Sequence, residues 1–207
     1  MNFLAHLYLS GNSDKVKVGN FIGDSIKGKK YLNYHPEIQK GIILHRNIDY
    51  FTDKHPLISK SSQRLKEGFG RYSGVVVDVI YDHFLAENWN SYHINPIRNF
   101  VNQSHEVLVK NYLLLPHRVK MFLPFLIQSR RLESYASFAG LQNALDIMAK
   151  RTSLPDNSNF AIETLKNHYL EFEDEFKIFM NEVLDYVKSA HNINVATPND
   201  WHPNEGK

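Results

Sequence analysis

The sequence contains no cysteine among its 207 residues. This absence excludes disulfide bonds, thiolate zinc sites and cysteine nucleophiles. Long apolar runs are also missing, since none approaches the ~20 residues that a membrane-spanning helix needs. Neither sign of charge dominates, because the formal net charge is +2, and we therefore expect no attraction to nucleic acid or to a membrane surface. The N-terminal segment lacks the basic region and the cleavage site of a signal peptide, which predicts a cytoplasmic protein.

The apolar residues that are present recur mostly with helical spacing. Hydrophobic residues make up 43% of the chain and charged residues 22%, as in ordinary globular proteins. The periodicity predicts an all-α fold, a single compact domain of eight or nine helices over residues 1–190. Residues 191–207 contain Pro and Asn without periodicity, so they are predicted to form an extended or disordered tail.

The segment over residues 73–89 is the least typical of these helices. Its β-branched run over residues 75–80 would suit a buried strand. The apolar pattern is too long for a strand and continues without a break through DHFLAENW. We therefore predict a buried helix here.

Two acidic residues interrupt this apolar helix. Asp78 and Asp82 are four residues apart, so they share one face, and His83 follows directly. A carboxylate in apolar surroundings is costly unless it is paired, hydrogen-bonded or bound to a metal, and two on one face repel each other. A divalent cation would relieve both penalties. The alternative is that both acids face solvent or pair with lysine or arginine.

A histidine and an aspartate have the same spacing on a helix predicted over residues 36–51. His45 and Asp49 can share a metal ion, and the three-residue step from Arg46 to Asp49 allows an ion pair. The alternative is a solvated helix end with a single His–Asp contact.

Two further candidates lie nearer the N-terminus. Asp24 sits in GNFIGDSIKGKK, where it is either a carboxylate ligand beside a phosphate-attracting patch or the end of a helix before an exposed basic loop. That loop carries Lys27, Lys29 and Lys30. His6 lies on an apolar first helix, where a lone histidine is more often a satisfied core residue than a ligand.

Histidine and aspartate without sulfur suit a hard or borderline divalent metal such as Mn²⁺, Mg²⁺ or Fe²⁺. Such ions promote hydrolysis by acidifying water and by neutralising charge on a phosphoryl oxygen. We predict Asp24, His45, Asp78 and Asp82 as ligands, with His6 next. Arg46 or a lysine near Lys27 would stabilise phosphoryl charge, and His83 or Asp49 would donate a proton or orient a ligand.

Four ordered segments resemble the acyl carrier protein phosphodiesterase family: MNFLAHLYLS, GNFIGDSIKG, GIILHRNIDYFTDKHP and DVIYDHFLAENW. The resemblance implies an HD-superfamily-like helical fold and hydrolysis of the phosphodiester between 4′-phosphopantetheine and a serine of holo-acyl carrier protein. It also implies Mn²⁺ as the metal. The matching positions are His6, Asp24, His45, Arg46, Asp49, Asp78, Asp82 and His83. The adjacent His-Asp pair of the HD superfamily is absent, since the chain has Asp82-His83 in the opposite order.

The implied partner is a small, strongly acidic carrier protein, which would dock on a basic surface. The candidate surfaces are the lysines at 27, 29 and 30, the basic residues at 117, 118 and 120, and Arg130 with Arg131. Two other functions stay open at this point. One is an HD-type phosphohydrolase acting on a small nucleotide, and the other is a non-catalytic helical module that binds an acidic protein.

Overall fold

The computed structural model describes residues 1–198. Within them the chain forms eleven α-helices and no β-strand, which confirms the predicted all-α fold. The helices are α1 (Phe3–Tyr8), α2 (Asp14–Ile22), α3 (Pro36–Lys54), α4 (Pro56–Phe69), α5 (Ser73–Glu87), α6 (Ile97–Lys110), α7 (His117–Gln128), α8 (Arg131–Ser134), α9 (Phe138–Arg151), α10 (Ser158–Asn167) and α11 (Tyr169–His191). Short 3₁₀ turns occupy Gly23–Ser25 and Gly28–Asn33, on either side of Lys27.

The structure has more helices than the eight or nine predicted. The long apolar pattern over residues 159–189 is divided at His168, whose backbone leaves the helical region, so α10 and α11 are separate. The four-residue α8 is too short to produce a periodic signal. Conversely, Pro124 lies inside α7 without splitting it.

Helix α5 is the central element of the core, as its sequence predicts. It contacts α1, α4, α9 and α11, and nearly every side chain from Val76 to Ala86 is buried. A helix that is apolar all round is stable only when neighbours cover it on all sides. The β-branched run therefore reflects complete burial rather than strand pairing.

Helices α2 and α3 pack with their backbones in contact, and this contact positions the site. A Cβ atom added at Gly19 would lie 2.1 Å from the carbonyl oxygen of Ile38. One added at Gly41 would lie 2.2 Å from the carbonyl oxygen of Val16. Only glycine permits this approach, which brings the polar residues of α2 close to those of α3.

The chain beyond α11 begins with a left-handed residue, Asn192, at φ 51°. Ile193 is buried and approaches Gly11, while residues 192–197 have no regular secondary structure. The remainder of the predicted tail, residues 199–207, lies outside the described residues.

Over the described part of the chain, we find no helix with both the length and the apolar character to cross a membrane.

Candidate metal centre

Four of the predicted site residues converge where α1, α2 and α3 meet. The Nε2 atom of His6 lies 3.1 Å from Oδ1 of Asp49, and Nε2 of His45 lies 3.1 Å from Oδ2 of the same carboxylate. Nε2 of His45 is also 3.3 Å from Oδ1 of Asp24. In residues 1–198, His6, His45 and Asp49 form the one group of three metal-ligating side chains with ligand atoms within 4.8 Å of one another.

Local sequence features explain this convergence. His45 and Asp49 share a face of α3 because they are one helical turn apart. The His45 ring lies directly on the backbone of Gly23, where an added Cβ atom would approach the ring carbon Cγ to 2.3 Å. Gly23 also begins the 3₁₀ turn that carries Asp24. The rings of His6 and His45 stack with their centroids 4.1 Å apart.

Asn20 determines which nitrogen of His6 carries the proton. The amide of Asn20 donates to the carbonyl oxygen of His6 at 2.7 Å and to the hydroxyl of Ser10 at 3.0 Å. Its Oδ1 therefore faces Nδ1 of His6, at 2.8 Å, and accepts the Nδ1 proton. This arrangement leaves the lone pair of Nε2 directed toward Asp49, as in histidine ligands oriented by a second hydrogen bond.

Burial and the neighbouring carboxylates shift the pKa values of the two histidines in opposite directions. Burial, with the adjacent His45, lowers the pKa of His6 to about 4, so its imidazole is neutral at pH 7. Burial also disfavours a charged His45, but hydrogen bonds to Asp24 and Asp49 outweigh it and raise that pKa to about 9. Burial would raise the pKa of Asp49, yet the hydrogen bond from the charged His45 holds that pKa well below its usual value. A hydrogen bond from His45 lowers the pKa of Asp24.

The residues present fit a divalent metal ion. The lone pair of His6 Nε2 and an anionic oxygen of Asp49 face each other at 3.1 Å, an arrangement that a cation between them would stabilise. Nδ1 of His45 is buried and has no hydrogen-bond partner, while Nε2 of the same ring faces the carboxylates of Asp24 and Asp49. Imidazole nitrogen and carboxylate oxygen together suit borderline ions such as Mn²⁺ or Fe²⁺.

Asp78 lies beside this cluster and is joined to it through the amino nitrogen of Met1. That nitrogen is 3.0 Å from Oδ1 of Asp78 and 3.7 Å from Oδ1 of Asp49. Asp78 is therefore linked to Asp49 through the Met1 amino group and not by a direct contact.

Asp82, one turn further along α5, binds the start of α1. Its two carboxylate oxygens accept hydrogen bonds from the backbone N–H groups of Leu4, at 2.9 Å, and Ala5, at 3.1 Å. The side chain is fully buried. Because His6 follows directly, Asp82 fixes the segment that presents His6 to the cluster, and its predicted role as a ligand stays a prediction.

Replacing Asp82 with asparagine tests this contact. We expect the free energy of unfolding to fall by about 1–3 kcal/mol, because an amide donor would then face a buried N–H donor. The loss should be the same in chelator and in Mn²⁺, as measured by urea unfolding. A loss seen only with metal present would instead indicate that Asp82 is a ligand.

His83 and Arg46 make contacts away from the four clustered residues. His83 is buried, with Nδ1 2.8 Å from the carbonyl oxygen of Tyr135 and Nε2 3.5 Å from Glu87. Arg46 does not form the ion pair with Asp49 that its spacing allows. Its guanidinium donates to the carbonyl oxygens of Ile26 and Gly28 and thereby holds the basic loop beside the cluster.

Sequence reasoning missed Asn20, which orients His6. A signal was present, since Asn20 lies four residues after Val16 on the buried face of α2. A polar residue on an apolar face needs a hydrogen-bond partner. Nothing in the spacing of Asn20, however, identifies His6 as that partner.

Comparison with known proteins agrees with the resemblance seen in the sequence. The family model described as acyl carrier protein phosphodiesterase matches residues 1–183. A protein named acyl carrier protein phosphodiesterase from Yersinia pestis is 31% identical over 180 residues, which cover 86% of this chain and 93% of the relative. One of the same name from Pectobacterium atrosepticum is 29% identical over 190 residues, covering 91% and 98%. No solved structure matched the chain. Since the family match spans most of its length, the chain belongs to the acyl carrier protein phosphodiesterase family of enzymes.

Proposed function

We propose that this enzyme hydrolyses the phosphodiester between 4′-phosphopantetheine and a serine of holo-acyl carrier protein, with a divalent metal, Mn²⁺ first, as cofactor. The products are apo-acyl carrier protein and free 4′-phosphopantetheine. Family membership supports the reaction. The observation that carries the metal dependence is the opposed pair of His6 Nε2 and Asp49 Oδ1, with Nε2 of His45 on the other oxygen of the carboxylate.

The proposed ligands are His6, His45 and Asp49, joined by Asp24 on the open side. A divalent ion held there would supply hydroxide at neutral pH and would neutralise charge on a phosphoryl oxygen. Asp49 bridges both imidazoles and keeps them at a fixed separation. Asn20 holds His6 in the tautomer whose Nε2 can bind a cation. The Asp24 side chain is 83% exposed, so of the four it is the one that substrate meets first.

The relation to the HD-type phosphohydrolases is part of this proposal. An all-α domain with histidine and aspartate ligands on several helices agrees with that superfamily's chemistry. Because the chain has no adjacent His-Asp pair, we assign its role to His45 and Asp49, which lie one helical turn apart on α3.

The basic loop formed by Lys27 and the second 3₁₀ turn, Gly28–Asn33, is the proposed docking surface for the acidic carrier protein. Lys27, Lys29 and Lys30 are exposed there. Arg46 binds the loop's carbonyl oxygens and stacks on Tyr31, so the loop is fixed close to His45 and Asp49. The phosphodiester on the phosphopantetheine-bearing serine of a protein bound at this loop would lie within reach of the nearby cluster.

Reversing the charge of these three lysines to glutamate should weaken docking without changing the chemistry. Each exposed ion pair contributes about 0.2–1 kcal/mol, so we expect KM for holo-acyl carrier protein to rise roughly tenfold or more. The value of kcat should stay unchanged, and the KM difference should shrink in high salt. Reversal of Arg118 and Lys120, on α7, is the matched control. If that control raises KM and the loop variant does not, the docking surface is on α7.

The experiment that tests the reaction is intact-mass analysis of holo-acyl carrier protein after incubation with the enzyme and Mn²⁺. We expect conversion to the apo form, release of 4′-phosphopantetheine and loss of both in excess chelator. Small nucleotides incubated in parallel should stay intact. Hydrolysis of nucleotides with holo-acyl carrier protein unchanged would contradict the proposal.

A further inference from the structure

A cavity of about 320 Å³ lies away from the His6, Asp24, His45 and Asp49 cluster, none of which lines it. Its walls come from the end of α1, the start of α2, α6 and residues 195–196 beyond α11. The residues that carry the argument are Lys17, His93, Phe100, Gln103, Asp14 and Glu106. The volume is within the range of small-ligand sites.

Lys17 is the unusual member of this wall. The residue is only 8% exposed, yet no hydrogen bond or ion pair to its ammonium occurs in residues 1–198. Its one described partner is the face of the Phe100 ring, whose centroid lies 5.1 Å from Nζ. Burial lowers the pKa of Lys17, as expected for an ammonium without an anionic partner. The ammonium borders the cavity, so an anion that enters the cavity can bind it.

The carboxylates nearest the cavity do not neutralise Lys17. Glu106 forms a 2.7 Å ion pair with Lys110 on its own helix. Asp14, one turn before Lys17, raises the pKa of Lys17 only through a longer-range charge interaction. Its carboxylate oxygens do not lie within 4.0 Å of Lys17 Nζ, the limit for an ion pair. An anionic group entering the cavity would therefore meet an ammonium that no side chain of residues 1–198 has already paired.

His93 supplies a second donor on the same cavity. Its Nδ1 accepts the backbone N–H of Asn95 at 3.0 Å, so the ring proton resides on Nε2. No described residue accepts that Nε2 proton. The imidazole stacks on the Trp89 ring, with centroids 5.3 Å apart, and packs at a tilt against the Phe100 ring, with centroids 5.1 Å apart. Both donors line the same cavity, and burial, with a smaller contribution from the nearby Lys17, lowers the pKa of His93.

We propose that this cavity binds a small anionic molecule through an oxyanion, a carboxylate or a phosphate ester, held between the Lys17 ammonium and the His93 imidazole. The body of the ligand lies along the ring of Phe100, where an amide or hydroxyl group can bond to Gln103. The site is separate from the proposed metal centre but shares α1 and α2 with it. An anion bound here would compensate the charge of Lys17 and stabilise the folded enzyme.

The test is an NMR titration of the full chain, with methyl phosphate and with acetate as probes, in Mg²⁺ and again in chelator. We expect at least one probe to shift the His93 ring resonances saturably, in both conditions. The probe whose shift of the His93 resonances saturates at the lower concentration shows whether the site prefers a phosphate ester or a carboxylate. Ring signals of His6 and His45 report any separate binding at the metal centre.

Substitution at Lys17 makes the titration specific. Lys17→Met keeps the apolar stem and removes the charge, so we expect at least tenfold weaker binding and a Tm no lower than that of the wild type. Lys15→Met, an exposed position on the same helix, should bind like the wild type. If Lys17→Met does not fold, Lys17→Gln is titrated instead. Absence of a saturable shift at His93 with both probes, or unchanged affinity after loss of the charge, would overturn the proposal.

Discussion

Replacing Asp49 with asparagine should reduce hydrolysis of holo-acyl carrier protein by on the order of a thousandfold. Among residues 1–198, Asp49 is the one whose carboxylate contacts both imidazoles, with each oxygen 3.1 Å from a histidine Nε2. The amide keeps the shape of the side chain but replaces one of the two carboxylate oxygens with an NH₂ donor. Metal affinity should fall together with turnover, which calorimetry with Mn²⁺ and the mass assay measure separately.

The matched control for this change is Asp53→Asn. Asp53 lies one turn later on the same helix, is exposed and has no ion pair within residues 1–198. We expect wild-type turnover and wild-type metal affinity from this variant. Equal turnover in Asp49→Asn and Asp53→Asn would show that Asp49 is not part of the centre.

Adding a single methyl group at Gly41 should have the largest effect on stability. The new Cβ atom would lie 2.2 Å from the carbonyl oxygen of Val16 and 2.8 Å from the backbone nitrogen of Asn20. Both are backbone atoms, so α2 and α3 must separate, and we expect Gly41→Ala to lower the free energy of unfolding by about 3 kcal/mol. Turnover should fall as well, since Asn20 and His6 would move relative to His45.

Gly74→Ala serves as the comparison for this helix contact. Gly74 is also helical, but an added Cβ atom would meet nothing closer than Ser62 Oγ at 3.9 Å. Alanine is the better helix former by about 0.5–1 kcal/mol, so we expect a small gain in stability. Urea unfolding of both variants gives the result. If Gly41→Ala is as stable as the wild type, the backbone contact between α2 and α3 is not as described.

The helical fold could be predicted because its strongest signals are local. The length of the apolar pattern, which continues without a break through residue 89, identified α5 as a buried helix despite its β-branched run. The division between α10 and α11 could not be predicted, because a single residue, His168, leaves helical geometry without proline or glycine nearby. Propensity carries little information about such a break.

The site was predictable in its residue types but not in its contacts. Helical spacing correctly placed Asp78 and Asp82 on one face, and it could not indicate that this face meets the N-terminal segment. Likewise the one-turn spacing of His45 and Asp49 predicted their proximity. The approach of His6 to Asp49 depends on the Gly19 and Gly41 contact, a tertiary feature between residues far apart in sequence.

The most direct test of the proposed centre is pulsed EPR of the enzyme loaded with one equivalent of Mn²⁺. We predict hyperfine coupling to the nitrogens of two histidines, His6 and His45, and loss of one coupling in His6→Gln. We also predict that the two-histidine signal survives in the exposed control His35→Gln. Bound Mn²⁺ without histidine coupling, or no bound Mn²⁺ at all, would contradict the assignment of His6, His45 and Asp49 as the metal centre.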